Sequence, residues 1–176
     1  SLIDFQFEVL TTHLNDGGKA PDRSSLGNGH AYLGAPYGVY RTSDGWLAIA
    51  MNPLDKLADL LALPALRSVT RADTFARRDE LKQIMADRLA AQSTAHWLSI
   101  LEPADVWCSE IFDWPKLLEH EAFKVLRMTR PITSGGGLTM LSLACPIRID
   151  GARPTSDRGA PRLGADTQRI AAEFRL

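Results

Sequence analysis

An α+β fold, with a small antiparallel sheet surrounded by helices, is what this 176-residue sequence predicts. Three observations carry that expectation. Two short aromatic and β-branched runs, "YGVYR" and "WLAIAM", flank an Asp44-Gly45 turn. Helical periodicity fills the stretches on either side of them. Strands and helices do not alternate in the manner of a parallel sheet. The elements divide into an N-terminal helix and linker over 1–34, an α+β small domain over 35–150, and a C-terminal connector and helix over 151–176.

Taken in order, residues 2–14 place Leu2, Ile3, Phe5, Val9 and Leu10 near one helical face. "NDGGKAPDRSSLGNG" then runs without periodicity, and loops of that length are usually functional or linking. The hairpin follows. Asn52-Pro53 reads as a helix start, with Asn as cap and Pro at the first helical position. Leu54, Leu57, Leu60 and Leu61 form the stripe of that helix, and Pro64 ends it. Residues 75–91 predict a second helix, and Ser93-Thr94 caps a third containing Trp97, Leu98 and Leu101. "VWCSEI" at 106–111 predicts a strand, and "WPKLLEHEAFKVL" one or two short helices. "MTRPITSGGGLTMLSLACPIRID" predicts two extended segments around a triple-glycine turn, with Pro131 and Pro146 at edge positions or strand starts. A Pro/Gly-rich connector leads to a last helix capped near Asp166 or Thr167.

Composition narrows the function. Lys and Arg number 20 against 21 Asp and Glu, so there is no basic excess to neutralise a phosphate backbone, and nucleic acid is excluded as the expected partner. The apolar runs fall well short of the roughly 20 residues that cross a bilayer, and no leader pattern is present, which places the expected location in the cytoplasm without a membrane partner. Cys108 and Cys145 have neither zinc-site nor disulfide spacing and read as small buried hydrophobes. The chain begins with Ser and enters a helix at once, so it reads as a piece of something longer.

Candidate chemistry is sparse. His13, His96 and His120 fall in predicted helices without a second ligand one turn away, and no metal site is expected. His30 differs, because it sits in a Gly/Asn loop immediately before the hairpin. Neither a serine-nucleophile elbow nor a reactive-cysteine context occurs. "SGGGLT" lacks the Lys-Ser/Thr ending of a phosphate loop and reads as a turn. "RADTFARRDELK" reads as a solvated face with i,i+4 pairs. The helix start at Asn52-Pro53, with Lys56 one turn in, is a weak anion-site signal that gains weight from the neighbouring loop at 27–30.

With these residues in view, the chain resembles the C-terminal part of the class III CoA-transferase family, the CaiB/BaiF group that includes formyl-CoA transferase and α-methylacyl-CoA racemase. "SLIDFQFEVL" is similar to the family's Ser-Leu-Leu-Asp helix. "GNGHAYLGAPYGVYRTSDGWLAIAM" is similar to its Gly-Asn-x-His, Pro-Tyr-Gly-x-Tyr and Asp-Gly-Trp hairpin. "STAHWLSILEPADVWCSEI" resembles a Thr-x-x-Trp helix leading to a Pro-Cys-Gly-Pro-Val segment, and "APRLGADT" a Pro-x-Leu-Gly-Glu-x-Thr motif.

The resemblance implies that this is the family's small domain with linker segments, covering an active site built mainly by a large domain. It implies a substrate rather than a resident cofactor, a coenzyme A thioester, with a carboxylic acid as second substrate and a homodimer as the full-length assembly. In the family an Asp carboxylate attacks the thioester, and that Asp lies upstream of the Ser-Leu-Leu-Asp helix. Asp4 matches the helix motif instead, so no catalytic residue is expected in this chain, and the chain alone is expected to be inactive. Asn28, His30, Tyr37 and Asn52 are the expected substrate-binding residues, nearest the acyl group or incoming acid. Departures are visible as well. Leu54 stands nearest the position of a racemase Glu, "WCSEI" lacks the Pro and Gly-Pro of the family segment, and Ala165 replaces Glu. Two alternatives stay open: a racemase-like isomerase, and a noncatalytic binding or assembly module.

Overall fold

The structure is a computed structural model that describes residues 7–19, 22–26, 30–156 and 158–175. It comprises two compact units, Ser1–Ile111 and Phe112–Leu176. The division falls inside the 35–150 stretch read as one small domain.

In the first unit, helix α1 (Phe7–Asn15) precedes the hairpin of β1 (Gly38–Arg41) and β2 (Trp46–Ile49). Leu2, Ile3 and Phe5 lie outside the described residues. β1 and β2 pair antiparallel with Tyr40 opposite Leu47, and β3 (Cys108–Glu110) adds to the other edge of β2 with Ile49 opposite Cys108. Side chains alternate across a strand, so Leu47 and Ile49 share a face with Tyr40 and enter the core together.

Three helices cover that face, α2 (Leu54–Leu60), α4 (Arg78–Leu89) and α5 (Thr94–Leu101), and a short α3 (Asp73–Ala76) leads into α4. α2 sends Leu54, Leu57 and Ala58 inward, α4 sends Leu81, Met85 and Leu89, and α5 sends Trp97 and Leu101. These spacings of three and four residues trace one stripe on each helix. Burying a leucine of this kind contributes about 1.5–3 kcal/mol. The Trp97 indole N–H donates to Leu89 O at 2.8 Å, so the largest core side chain also satisfies a carbonyl at the end of α4.

Boundaries depart from the sequence reading for local reasons. The stretch 75–91 is two helices, broken at Arg77. α2 stops at Leu60, ahead of Pro64, which instead opens a short 3₁₀ turn. The stop is a Schellman closure, in which Ala62 adopts φ 53° while the Leu63 N–H reaches Ala58 O at 2.8 Å. At its other end α2 is capped by Pro53 with no side-chain bond, so Asn52 is not the cap. Ser93 caps α5 as expected, accepting from the His96 N–H at 3.1 Å. The turn residue Asp44 reaches the same helix end, accepting from the Thr94 N–H at 2.8 Å and from the Thr94 hydroxyl at 3.1 Å. These bonds hold its carboxyl below the usual carboxylate range.

In the second unit, α6 (Trp114–Glu119) and α7 (Glu121–Val125) precede the hairpin of β4 (Thr129–Thr133) and β5 (Thr139–Leu143), and α8 (Thr167–Phe174) follows a long connector. His120 is not inside a helix. It caps α7, with Nδ1 accepting from the Ala122 N–H at 3.2 Å. "SGGGL" is the β4–β5 turn, closed by the Ser134 N–H donating to Leu138 O at 2.9 Å. The connector runs beside β4, where the Gly159 N–H donates to Thr133 O at 3.0 Å. A Cβ at Gly159 would lie 2.7 Å from Thr133 O, so only glycine allows that approach. Asp166 precedes α8 without a side-chain cap bond, and Arg169 takes its carboxylate at 3.2 Å instead.

Little of this unit is buried. Among the described residues, Ala144 is its only fully buried hydrophobic side chain, whereas Leu141 is 75% exposed, Val125 71% and Leu143 69%. A two-stranded hairpin is marginal by itself in water.

Candidate functional site

The loop ahead of β1 owes its course to α4. The Arg78 guanidinium donates to Ala31 O at 2.9 Å and also to Asp22 O, and it lies over the Phe75 ring at 4.6 Å from the centroid. Asp79 accepts from the Ser24 hydroxyl at 2.6 Å, the Ser25 hydroxyl at 2.7 Å and the Ser25 N–H at 3.2 Å. Those three bonds pull its carboxyl down to about 2. Lys82 Nζ lies 3.5 Å from Leu26 O. Burial lowers the Lys82 pKa, repulsion from Arg78 lowers it further, and Asp79 opposes both.

Arg78 is 9% exposed and Lys82 is 0% exposed, so "RADTFARRDELK" is not simply a solvated face. Only part of it, such as the Arg77–Glu80 pair, follows that reading. A signal was present in the sequence. Arg78 and Lys82 fall on the same stripe as Leu81, Met85 and Leu89, at i, i+3, i+4, i+7 and i+11.

The loop's far end is fixed to α3. The Ala35 N–H donates to Thr74 O at 2.8 Å, and a Cβ on Gly34 would meet that oxygen at 2.5 Å. Glycine is therefore required where this backbone passes α3. The buried Tyr40 hydroxyl donates to Pro36 O at 2.6 Å, and burial raises its pKa.

The expected substrate residues sit as follows. Asn28 lies outside the described residues. His30 is exposed, with Nδ1 accepting from the Tyr32 N–H at 3.2 Å and its ring tilted against Tyr32 at 5.9 Å. Tyr37 is half-buried, its N–H donating to Gly34 O at 3.1 Å. Asn52 acts as a clamp between the end of β2 and the segment before β3. Its Nδ2 donates to Ala50 O at 3.0 Å and lies 3.4 Å from Trp107 O, while its Oδ1 accepts from the Trp107 N–H at 3.2 Å. That geometry explains why it does not cap α2.

A cavity of about 520 Å³ opens between Gly34–Pro36, Met51–Asp55 and the segment 67–74. Asn52 lines it, but His30 and Tyr37 are not among its described lining residues. Arg67 and Arg71 stand at this cavity, Arg67 already paired with Asp59. Lys56 turns away from the start of α2 and donates to Asp105 O at 3.2 Å, so it adds no charge there. Cys108 and Cys145 are free thiols, half-buried rather than buried. Burial, then Glu102, pushes the Cys108 thiol up, which makes it a poor nucleophile. Among the described residues no group of three or more His, Cys, Asp or Glu could hold a metal ion, and no helix is long and apolar enough to cross a membrane.

Comparison with known proteins fits this architecture. The family model for CoA-transferase family III matches residues 1–167. Acetyl-CoA:oxalate CoA-transferase from Acetobacter aceti is 30% identical over 165 residues, covering 89% of this chain and 40% of the relative. CoA-transferase/lyase DddD from a Marinomonas species is 30% identical over 104 residues, covering 59% of this chain and 11% of the relative. Rv3272 from Mycobacterium tuberculosis superposes with a TM-score of 0.69 at 20% identity, covering 94% of this chain and 44% of that one. A CaiB/BaiF family protein from Brucella suis gives 0.64 at 25% identity, covering 94% and 43%. The chain thus spans less than half the length of each of these relatives, and over nearly all of its own length it belongs to CoA-transferase family III.

Proposed function

We propose that this chain supplies the small-domain portion of a cytoplasmic, homodimeric acyl-CoA:carboxylate CoA-transferase, and that the nucleophilic aspartate lies in sequence preceding it. The observation that carries the reading is the family match across residues 1–167 together with 30% identity to an enzyme named for moving CoA between acetyl-CoA and oxalate. Two features support it. The chain covers only 40% of that relative, whose remaining length has no counterpart in these 176 residues. The loop at 22–37 is fastened at both ends by α3 and α4, as a substrate-facing loop on a rigid scaffold requires.

In this reading the upstream aspartate attacks the acyl-CoA thioester, forming a mixed anhydride and expelling CoA thiolate. The thiolate attacks the aspartyl carbonyl, giving an aspartyl-CoA thioester and releasing the first carboxylate. The incoming acid then attacks that thioester, and the thiolate it expels takes the new acyl group from the second anhydride and frees the aspartate. Asn28, His30, Tyr37 and Asn52 lie nearest the acyl group or the acid. Asn52 acts by holding its strand end in place, and His30 is the exposed donor or acceptor of the loop. The exposed leucines of β5 then meet protein from the large domain or from the second copy.

The test follows the formation of new CoA esters. The complete reading frame is incubated with acetyl-CoA and a panel of short carboxylic acids, oxalate included, and new CoA esters are read by mass spectrometry. Transfer to at least one acid is expected from the complete protein and none from the 176-residue chain. Turnover by the chain alone refutes the reading, as does a complete protein that transfers to no acid. A complete protein that instead exchanges the α-proton of a 2-methylacyl-CoA with deuterium establishes the racemase alternative.

A further inference from the structure

The second unit holds a cavity of about 440 Å³ whose described lining includes four arginines, Arg127, Arg130, Arg148 and Arg153, and no carboxylate. We propose that this cavity is a binding site for a phosphoryl-class oxyanion, an inference independent of the transfer chemistry above. The four arginines come from the end of α7, the start of β4 and the connector after β5. Arginine stays charged at any pH a protein survives, so proximity here cannot be relieved by deprotonation. Among the described residues no ion pair engages Arg127, Arg148 or Arg153.

Arg153 shows how the site is built. Its Nη1 donates to Leu126 O at 2.5 Å and lies 3.4 Å from Arg127 O, fixing the fork at the end of α7. Its Nε is buried with no acceptor, an uncommon state for a charged donor and one that a ligand oxygen would resolve. Arg148 donates to Gly151 O at 3.3 Å, leaving the rest of its fork available. Thr129 and Thr155 add hydroxyls to the lining.

Charge number selects the ligand class. Three arginines with no ion pair among the described residues, Arg127, Arg148 and Arg153, are poorly balanced by a monocarboxylate, whereas a phosphate or diphosphate brings two or more charges and oxygens that match guanidinium forks. The near-neutral whole chain conceals this local excess. Residues 112–176 carry 10 Lys and Arg against 7 Asp and Glu, and residues 1–111 carry 10 against 14. The same phosphoryl chemistry is available from the nucleotide end of a CoA ester and from free inorganic phosphate or diphosphate.

Calorimetric titration of the 176-residue chain with inorganic phosphate, diphosphate and adenosine 3′,5′-bisphosphate in low-chloride buffer tests the site. Saturable binding of one anion per chain is expected, weakened at least tenfold in Arg148→Gln, with Arg41→Gln, an exposed control outside the cavity, unchanged. Arg153→Gln should act likewise. Because Arg153 also holds the end of α7, its circular dichroism is checked, and Arg148→Gln decides if Arg153→Gln fails to fold. Bisphosphate binding tenfold tighter than diphosphate assigns the CoA nucleotide as source, and equal or weaker binding assigns free phosphate. Absence of saturable binding for all three anions overturns the proposal, and so does equal loss of affinity in Arg148→Gln and Arg41→Gln.

Discussion

Replacing Asp79 with Ala removes three acceptor contacts at once, those from the Ser24 hydroxyl, the Ser25 hydroxyl and the Ser25 N–H. It also removes a negative charge from the first turn of α4. Hydrogen bonds to a charged group are worth about 1.5–3 kcal/mol when well shielded, but Asp79 stands near solvent, and screening reduces the net loss to about 1 kcal/mol. The loss should fall on the loop, because Leu81, Met85 and Leu89 keep α4 in the core. A cost of about 1 kcal/mol raises the open population of the loop about fivefold. Tryptic cleavage after the exposed Arg23 should accelerate by about that factor when opening is fast relative to cleavage. The Ser25 amide should lose protection from hydrogen exchange in parallel.

The pH dependence follows from the same contacts. The folded carboxyl titrates at about 2, below its ordinary value of 3.8, so the stabilisation is fully present above about pH 4 and is lost as pH falls through 2. An Asp79 carboxyl resonance with its midpoint near 3.8, together with an unchanged cleavage rate in Asp79→Ala, would refute the claim that this residue holds the loop.

Three further substitutions probe the frame around the site. Gly34→Ala forces a Cβ against Thr74 O at 2.5 Å and strains the Ala35–Thr74 bond, which should cost about 1–3 kcal/mol and lower the thermal midpoint by several degrees in calorimetry. Ala62→Gly relieves the positive φ that closes α2 and should stabilise the chain by about 0.5–1 kcal/mol in urea titration; a destabilisation would contradict the helix-stop assignment. Trp97→Phe leaves the Leu89 carbonyl without its indole donor and puts a smaller ring beneath Arg88, for an expected loss of about 1–3 kcal/mol, read as a lower urea midpoint at unchanged slope.

The hairpin was legible because Asp44-Gly45 between aromatic runs is a local signal, and the helices of the first unit because Leu57, Met85 and Trp97 lie on periodic stripes. Asn52 was misread because Asn before Pro carries the same local signature whether its amide caps a helix or clamps a strand. Only the Trp107 backbone, 55 residues away, decides between them. Arg78 and Asp79 were misread for a related reason. Their charges resemble a solvated surface, and their partners at Ser24, Ser25 and Ala31 are some 50 residues distant. The arginines around the second-unit cavity are dispersed over 26 residues of sequence and converge only when α7, β4 and the connector fold together. Of the four residues expected to face substrate, loop position also marked His30 and the helix start also marked Asn52, and among the described residues only Asn52 lines the cavity beside Gly34–Pro36.

Trapping of the covalent intermediate bears most directly on the division of labour proposed for this chain. The complete protein is incubated with acyl-CoA, quenched with hydroxylamine, and digested, so that an activated aspartate is converted to its hydroxamate and located by mass spectrometry. The expected result is a single hydroxamate on an aspartate ahead of Ser1, with every peptide from residues 1–176 unmodified. A hydroxamate on Asp4, Asp55, Asp79 or any other carboxylate within residues 1–176 would contradict it.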